Sequence, residues 1–349
     1  MVSIATKKWL SLVGLIALVV FPFVNRDPFT LFIFTVALLW AVAGLYLNLL
    51  VGYGGVFFIS PMVFIAVAGY ASGWLSLAPG SPACPTHSGC LGLHPFVTII
   101  IGAAFAVIFS FPFSLVSTRL KGLYMALYSV IFTLFLGAIA SQFNPLIFYW
   151  TGGPGGLSQL PDIVVGGFEF RSLNGVAYYY LELSVLVVAA LILSVFLKSK
   201  FGLAMRSLRD AEEYSSTLGV NSLKVKVLAF MIAAFFMGIA GGIWVHFFSS
   251  IQPGFSNTSW VVFFLGVLFF GGIGTFVGPI VGSFVLVSID QNLTIFGPWR
   301  HIILGVAVLA VLLVAPEGIV GRIQRSLAAR RGKGVEAVHK VLLQRATDA

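Results

Sequence analysis

The sequence predicts an all-α, polytopic membrane protein of about ten transmembrane or half-membrane helices, and three observations carry that prediction. Hydrophobic residues make up 59% of the 349, more than a soluble chain can hold while covering its surface with polar groups. Apolar runs near the length of a bilayer span recur along the whole chain. Only 9% of residues are charged, and those gather between the runs.

The runs are 9–24, 29–51, 56–75, 96–117 and 122–141, then 178–197, 227–248, 260–270, 277–289 and 301–315. The first follows Lys7 and Lys8 as a signal peptide would. No A-x-A-like site follows it, and Phe21, Pro22 and Phe23 are bulky where one would lie, so it reads as a retained helix. Several runs are shorter than the ~20 residues of a perpendicular span. The stretch 260–289 is too long for one crossing and holds Gly271, Gly272 and Gly274 in its middle, which predicts a hairpin or two short helices. Glycines at 52–55 and 271–274 break the pattern. Freed backbone groups at membrane depth are tolerated only against protein or a water-filled cavity, so these breaks favour a pathway nearby. No soluble domain is visible: 1–320 reads as a transmembrane domain and 321–349 as a basic tail.

The net charge of +9 looks at first like a nucleic-acid footprint. Numbering the connections alternately removes that impression, because every Lys and Arg except Arg26, Arg171 and Arg300 falls on one side. The positive-inside rule places that side, with both termini, in the cytoplasm. The charge is then a topology signal, and no nucleic-acid partner is expected.

The loop 198–226 holds the densest charge, with Arg206, Arg209, Lys224 and Lys226 around Asp210, Glu212 and Glu213. Met205, Leu208, Ala211, Ser215 and Leu218 step by three and four, which predicts a short amphipathic helix outside the membrane. Gly219 then ends it at a position suited to positive φ. Such a helix can lie in the groove of a partner with its charges at the rim; a solvated connector, or one resting on headgroups, is the alternative.

At this loop the chain resembles a known family. "SLRDAEEYSSTLGVN" (207–221) is similar to the cytoplasmic loop of LivM-type permeases of branched-chain amino-acid ABC importers, whose pattern runs roughly A-I-R-E-N-E-x-A-A-x-x-L-G-I-N. "LNLLVGYGG" (47–55), "LKGLYMALYSVIFT" (120–133), "TGGPGGL" (151–157), "LAFMIAAFFMGIAGGIW" (228–244), "FGGIGTFVGPIVGS" (270–283) and "LVAPEGIVG" (313–321) extend the likeness in order over most of the chain. The resemblance implies a transport subunit rather than an enzyme, with a second permease subunit, two ATP-binding cassette ATPase subunits and an external solute-binding protein as partners, in the membrane of a prokaryote. It implies coupling to the ATPase through Arg209, Asp210, Glu212, Leu218 and Gly219. Tyr214 and Ser215 replace the pattern's paired alanines. After Gly55 this chain reads Val56 to Pro61 where the family carries a polar Q-x-S-x-G-H run, which bears on the cargo. The rival class is a stand-alone secondary transporter or channel.

Other features are weighed in the same way. Ala234, Gly238 and Gly242 recur every four residues, as do Gly274, Gly278 and Gly282, making smooth stripes for close helix contact. The contact is either within the chain or with a second subunit or moving gate. "TGGPGGL" lacks the Lys-Ser/Thr of a phosphate loop and lies outside, and no Walker lysine occurs, so ATP acts through a partner and no cofactor is expected. Cys84, His87, Cys90 and His94 share the external loop 76–95. Zinc suits thiolate and imidazole, an oxidising exterior favours a Cys84–Cys90 disulfide, and free thiols are the third reading; no metal site is assigned. Glu182 and His246 lie near outer helix ends, Glu182 shallow enough to reach water, with a structural or a substrate-contacting role.

Overall fold

Each of the ten apolar runs holds a helix, the third only from Met62 onward. The structure is a computed structural model that describes residues 4–79, 84, 90–120, 122–142, 150–165, 168–170, 175–297, 299–315 and 318–322. The helices are α1 (Ile4–Val24), α2 (Pro28–Asn48), α3 (Met62–Ser76), α4 (Pro95–Ser117), α5 (Leu123–Ala140) and α6 (Gly175–Lys198). The charged loop follows as α7 (Lys200–Asp210) and α8 (Glu212–Thr217). Then come α9 (Ser222–Phe248), α10 (Ser259–Gly271), α11 (Gly278–Asn292) and α12 (Trp299–Val314). Among the described residues, seven helical stretches are long and apolar enough to cross a membrane. The protein is an all-α polytopic membrane protein. Lys121, Arg171, His87 and the basic tail beyond Arg322 lie outside the described residues.

Helix starts follow local chemistry. Asp27 caps α2, accepting from the Thr30 N–H at 2.9 Å and the Thr30 hydroxyl at 2.7 Å, with Pro28 at the first helical position. The Thr30 hydroxyl and then its N–H hold the Asp27 carboxyl below its ordinary range. Ser199 caps α7 and Asn221 caps α9 in the same way.

Two helices form the centre. α2 is buried without interruption from Thr35 to Asn48, as suits a helix that is apolar all round. It packs against α6, α9 and α11, while α9 packs against α3 and α4 on another face. Small residues allow the close approaches. A Cβ on Gly238 would lie 2.9 Å from the Ala103 Cα, and one on Gly242 would lie 3.1 Å from Ile99 side-chain carbons, both on α4. A Cβ on Gly241 would lie 2.2 Å from the Ile65 carbonyl of α3. On these faces the stripe meets helices of its own chain.

The stretch 260–289 is two helices, α10 and α11, running antiparallel around a turn at 272–277. A Cβ on Gly282 would lie 2.1 Å from the Val267 carbonyl, and one on Gly271 would lie 2.0 Å from the Gly278 carbonyl. This contact is backbone on backbone.

Gly241→Leu should therefore be the most damaging single change in the α3–α9 contact. Overpacking in a tight core costs about 1–3 kcal/mol, and here the obstacle is a carbonyl that no rotamer can move. The expected result is a loss of most monodisperse protein in detergent size-exclusion chromatography. A wild-type yield would show that α3 and α9 do not touch at Gly241.

The ends of α9 separate two groups of connections. Its first turn contacts the charged loop, where the Lys226 Nζ lies 2.5 Å from a Glu212 carboxylate oxygen. Its last turn contacts the opposite group, where the His246 Nδ1 lies 2.9 Å from the Pro161 carbonyl. Twenty-seven residues at 1.5 Å each put these ends about 40 Å apart. At the His246 end, strand β1 (Leu157–Ser158) pairs antiparallel with Ser250–Ile251. A second small ribbon pairs Ile163–Val165 with Phe168–Phe170. Cys84 and Cys90 are joined by a disulfide and buried beside Leu77, Leu160 and Val245, which removes both thiolates from the zinc alternative.

Candidate functional site

The two glycine breaks meet each other, and the charged loop sits on their junction. Beyond Asn48 the α2 backbone widens into a π-turn, Leu49–Tyr53, and then runs extended from Gly55, whose φ is +65°. Widening frees carbonyls from the helical ladder. Opposite lies the turn between α10 and α11, with Gly274 at φ +74°. Asn48, fully buried, ties the two together: its Nδ2 donates to the Thr275 carbonyl and its Oδ1 accepts from the Gly274 N–H, both at 2.8 Å. One side-chain amide thus supplies the donor and acceptor that neither break offers. A Cβ on Gly52 would lie 2.5 Å from the Gly274 nitrogen. Gly318, on the chain's exit from α12, closes against Gly272 at the same place.

α7 presses its basic residues onto this junction. The Arg209 Nη1 donates to the Gly52 carbonyl at 2.8 Å, one of the groups at the open end of the π-turn. The Arg209 Nε and Nη2 both reach the Asp210 Oδ1 at 2.8 Å, so the neighbouring carboxylate fixes the fork that aims Nη1. The Arg206 guanidinium lies 5.3 Å from the centre of the Tyr53 ring, within cation–π range. Met205 approaches Gly54, where a Cβ would lie 2.3 Å from its terminal methyl.

The loop is two helices, where the spacing predicted one. Backbone at Ala211 is extended (φ −155°, ψ 81°), which separates α7 from α8. The stripe is divided too. Met205, Leu208 and Ser215 are buried in the chain itself, whereas Leu218 is 69% exposed and Tyr214 68%. Glu212 turns back toward α9, accepting from the Lys226 Nζ at 2.5 Å and the Ser222 hydroxyl at 2.7 Å. Gly219 adopts φ +87°, and the Val220 N–H reaches the Ser215 carbonyl, closing α8 with a 6→1 bond. The loop has an inward face that grips the glycine junction and an outward face around Tyr214 and Leu218.

Of the residues singled out from sequence, Arg209 and Gly274 lie together at the junction, with Asp210 bonded to Arg209, while Glu212 lies against the first turn of α9. Leu218 and Gly219 stand outward. Gly238 and Gly242 lie in the α4 contact, and Gly278 and Gly282 in the α10–α11 hairpin. Sequence reading missed Asn48, Arg206 and Tyr53, although a lone Asn inside the run 29–51 was a signal. Two outer residues are deeper than expected. Glu182 is fully buried, with neither carboxylate oxygen bonded among the described residues, rather than shallow and wet. His246 is fully buried and bonds through Nε2 to the Ser72 hydroxyl at 3.1 Å, so it ties α3 to α9.

The family described as "Branched-chain amino acid transport system / permease component" matches residues 29–315. The chain is similar to the high-affinity branched-chain amino acid transport system permease protein LivM of Escherichia coli (strain K12), at 26% identity over 358 aligned positions, covering 95% of this chain and 80% of that one. It is similar to the LivM protein of Salmonella typhimurium at 26% identity, covering 87% of this chain and 73% of the relative. The permease protein BraD of Pseudomonas aeruginosa is 29% identical over 171 positions, 47% of this chain and 55% of that one. No solved structure gives a significant match.

Proposed function

The chain belongs to the family of branched-chain amino acid transport system permease components, and on that premise we propose that it is the membrane-spanning subunit of an ATP-driven ABC importer. Its cargo is a branched-chain or related amino acid, and its place is the cell membrane of a prokaryote, with both termini in the cytoplasm. It works with a second permease subunit, two ATP-binding cassette ATPase subunits and an external solute-binding protein. This chain supplies the path; the partners supply energy and direction.

The observation that carries the reading is the bond from Arg209 to the Gly52 carbonyl. It links a charged loop outside the membrane to a broken helix inside it. An ATPase docked on Tyr214 and Leu218 moves α8. Glu212 passes that movement to the first turn of α9 through Lys226 and Ser222. Arg209, held by Asp210, passes it to the junction of α2 with the α10–α11 turn. Gly219 lets the chain leave α8 at an angle that a side chain would strain.

The test is uptake of radiolabelled L-leucine into proteoliposomes, with the chain reconstituted alone or with its permease, ATPase and binding-protein partners. Uptake is expected only with the full set and only with ATP. Uptake by this chain without any ATPase would replace the reading with that of a secondary transporter or channel.

A further inference from the structure

A cavity of about 410 Å³ opens at the end of the molecule opposite the charged loop, between α2, α9, α10 and α11. Its volume falls in the range of small-molecule sites. One wall is aromatic. The Trp40 ring centre lies 5.8 Å from that of Trp244 and 5.1 Å from that of Trp260, and Trp244 and Trp260 are 6.1 Å apart. Tryptophans that anchor a protein at a membrane interface face the headgroups. Trp40 is only 3% exposed and lies twelve residues into α2, about 18 Å along the helix, so it is no such anchor.

The lining of the cavity carries both signs of charge. Asp290, near the end of α11, and Arg300, at the start of α12, face each other with the Arg300 Nε 3.5 Å from the Asp290 Oδ1. Ion pairs of good geometry close to about 2.7–2.9 Å, so this pair is slack. Neither side chain has a further hydrogen bond among the described residues, although Asp290 is only 15% exposed. The same two residues also line an adjoining cavity of about 220 Å³, so the pair stands between two spaces.

We infer that this cavity binds an α-amino acid as its zwitterion, with the carboxylate on Arg300, the ammonium on Asp290 and an apolar side chain against the tryptophans. The inference rests on the reading of the chain as an amino acid permease and deepens it. The chemistry fits at each point. An α-amino acid carries its opposite charges about as far apart as the slack pair holds its own, so it can lie alongside the pair in the opposite sense and add two ion contacts to it. A guanidinium fork matches a carboxylate bidentately. An ammonium over an indole face gains a cation–π attraction, and the ring surface takes the aliphatic remainder. A solute with one charge would gain only one of these two contacts.

The experiment is tryptophan fluorescence of the full chain in nanodiscs, titrated with L-leucine, 4-methylpentanoate and isoamylamine. The last two lack the ammonium and the carboxylate respectively. L-Leucine is expected to shift the emission saturably, and each one-charge analogue to require at least tenfold more. Asp290→Asn and Arg300→Gln should each weaken leucine at least tenfold, while Arg300→Lys should recover part of the loss. Absence of a saturable leucine signal, or equal affinity for all three compounds, overturns the site. Because the comparison of ligands uses the unaltered chain, misfolding of a variant cannot rescue the proposal. The two readings fail separately. ATP-driven leucine uptake with wild-type concentration dependence in Asp290→Asn and Arg300→Gln rejects the site and keeps the importer. Zwitterion-selective binding by a complex that shows no ATP-driven uptake keeps the site and rejects the importer.

Discussion

Under the proposed importer role, Arg209→Gln is expected to cut ATP-driven uptake at least tenfold while the chain still inserts and assembles with the proposed partners. The bond from the Arg209 guanidinium to the Gly52 carbonyl is charge-assisted and spans 157 positions of sequence. It is a direct hydrogen-bonded tie between α7 and the widened end of α2, beside the packing of Arg206 on Tyr53 and Met205 on Gly54. Hydrogen bonds to charged groups contribute about 1.5–3 kcal/mol. At about 1.4 kcal/mol per factor of ten, losing one shifts the balance between attached and detached loop by about ten- to a hundredfold. Asp210→Asn should do less, since it weakens the grip on the guanidinium and leaves Nη1 in reach. The checks are binding-protein-stimulated ATP hydrolysis and uptake in the reconstituted complex. Hydrolysis that continues while uptake falls would place the failure at this tie. Normal values of both in Arg209→Gln would show that the loop moves the membrane helices by another route.

Gly52→Val should abolish the folded chain altogether. Its Cβ would lie 2.5 Å from the Gly274 nitrogen and 2.2 Å from the Asn48 Oδ1, so the side chain cannot enter without parting α2 from the α10–α11 turn. Parting them leaves the Asn48 amide and two backbone groups buried without partners, at about 1–3 kcal/mol each. Such a sum is comparable with the whole stability of many domains, about 5–15 kcal/mol. Gly305→Ala is the control, since nothing lies within 4 Å of a Cβ there. It should be neutral, or slightly stabilising through the better helix propensity of alanine. Yield and apparent Tm in detergent separate the two. A Gly52→Val protein with the yield and Tm of Gly305→Ala would mean that the breaks do not touch.

The helices were legible in the sequence because a lipid-facing chain must satisfy its backbone internally, and long apolar runs leave few other solutions. Their partners were not. A helix such as α2 is apolar on every side, so its pattern carries no direction, and the meeting of Gly52 with Gly274 could be read only from coordinates. In the charged loop the spacing picked out Met205, Leu208, Ala211, Ser215 and Leu218 as one stripe, of which Met205, Leu208 and Ser215 are buried while Ala211 and Leu218 are exposed. Period alone cannot say whether a stripe lies against another protein or in the chain's own core, and here only its Met205, Leu208 and Ser215 part lies in the core. The split at Ala211 left no mark, because neither glycine nor proline makes it. Arg209 looked like a rim charge because cations usually face solvent. Its inward aim depends on the Gly52 carbonyl, which is open because the helix stops before Gly55. Glu182 was misplaced for a related reason: its position along α6 was clear, but which side of α6 meets α2 was not.

α9 has a thermodynamic consequence. Trp244, on the wall of the far cavity, and Lys226, bonded to Glu212, belong to one uninterrupted helix. Equilibrium coupling between two sites on such a body has no preferred direction. Whatever factor a docked partner at α8 applies to the affinity of the cavity, a solute in the cavity applies to the affinity for that partner. A partner that loosens the solute tenfold must itself be loosened tenfold by the solute. Measuring partner affinity with and without leucine, at equilibrium and without hydrolysis, therefore gives the same free energy as measuring leucine affinity with and without partner.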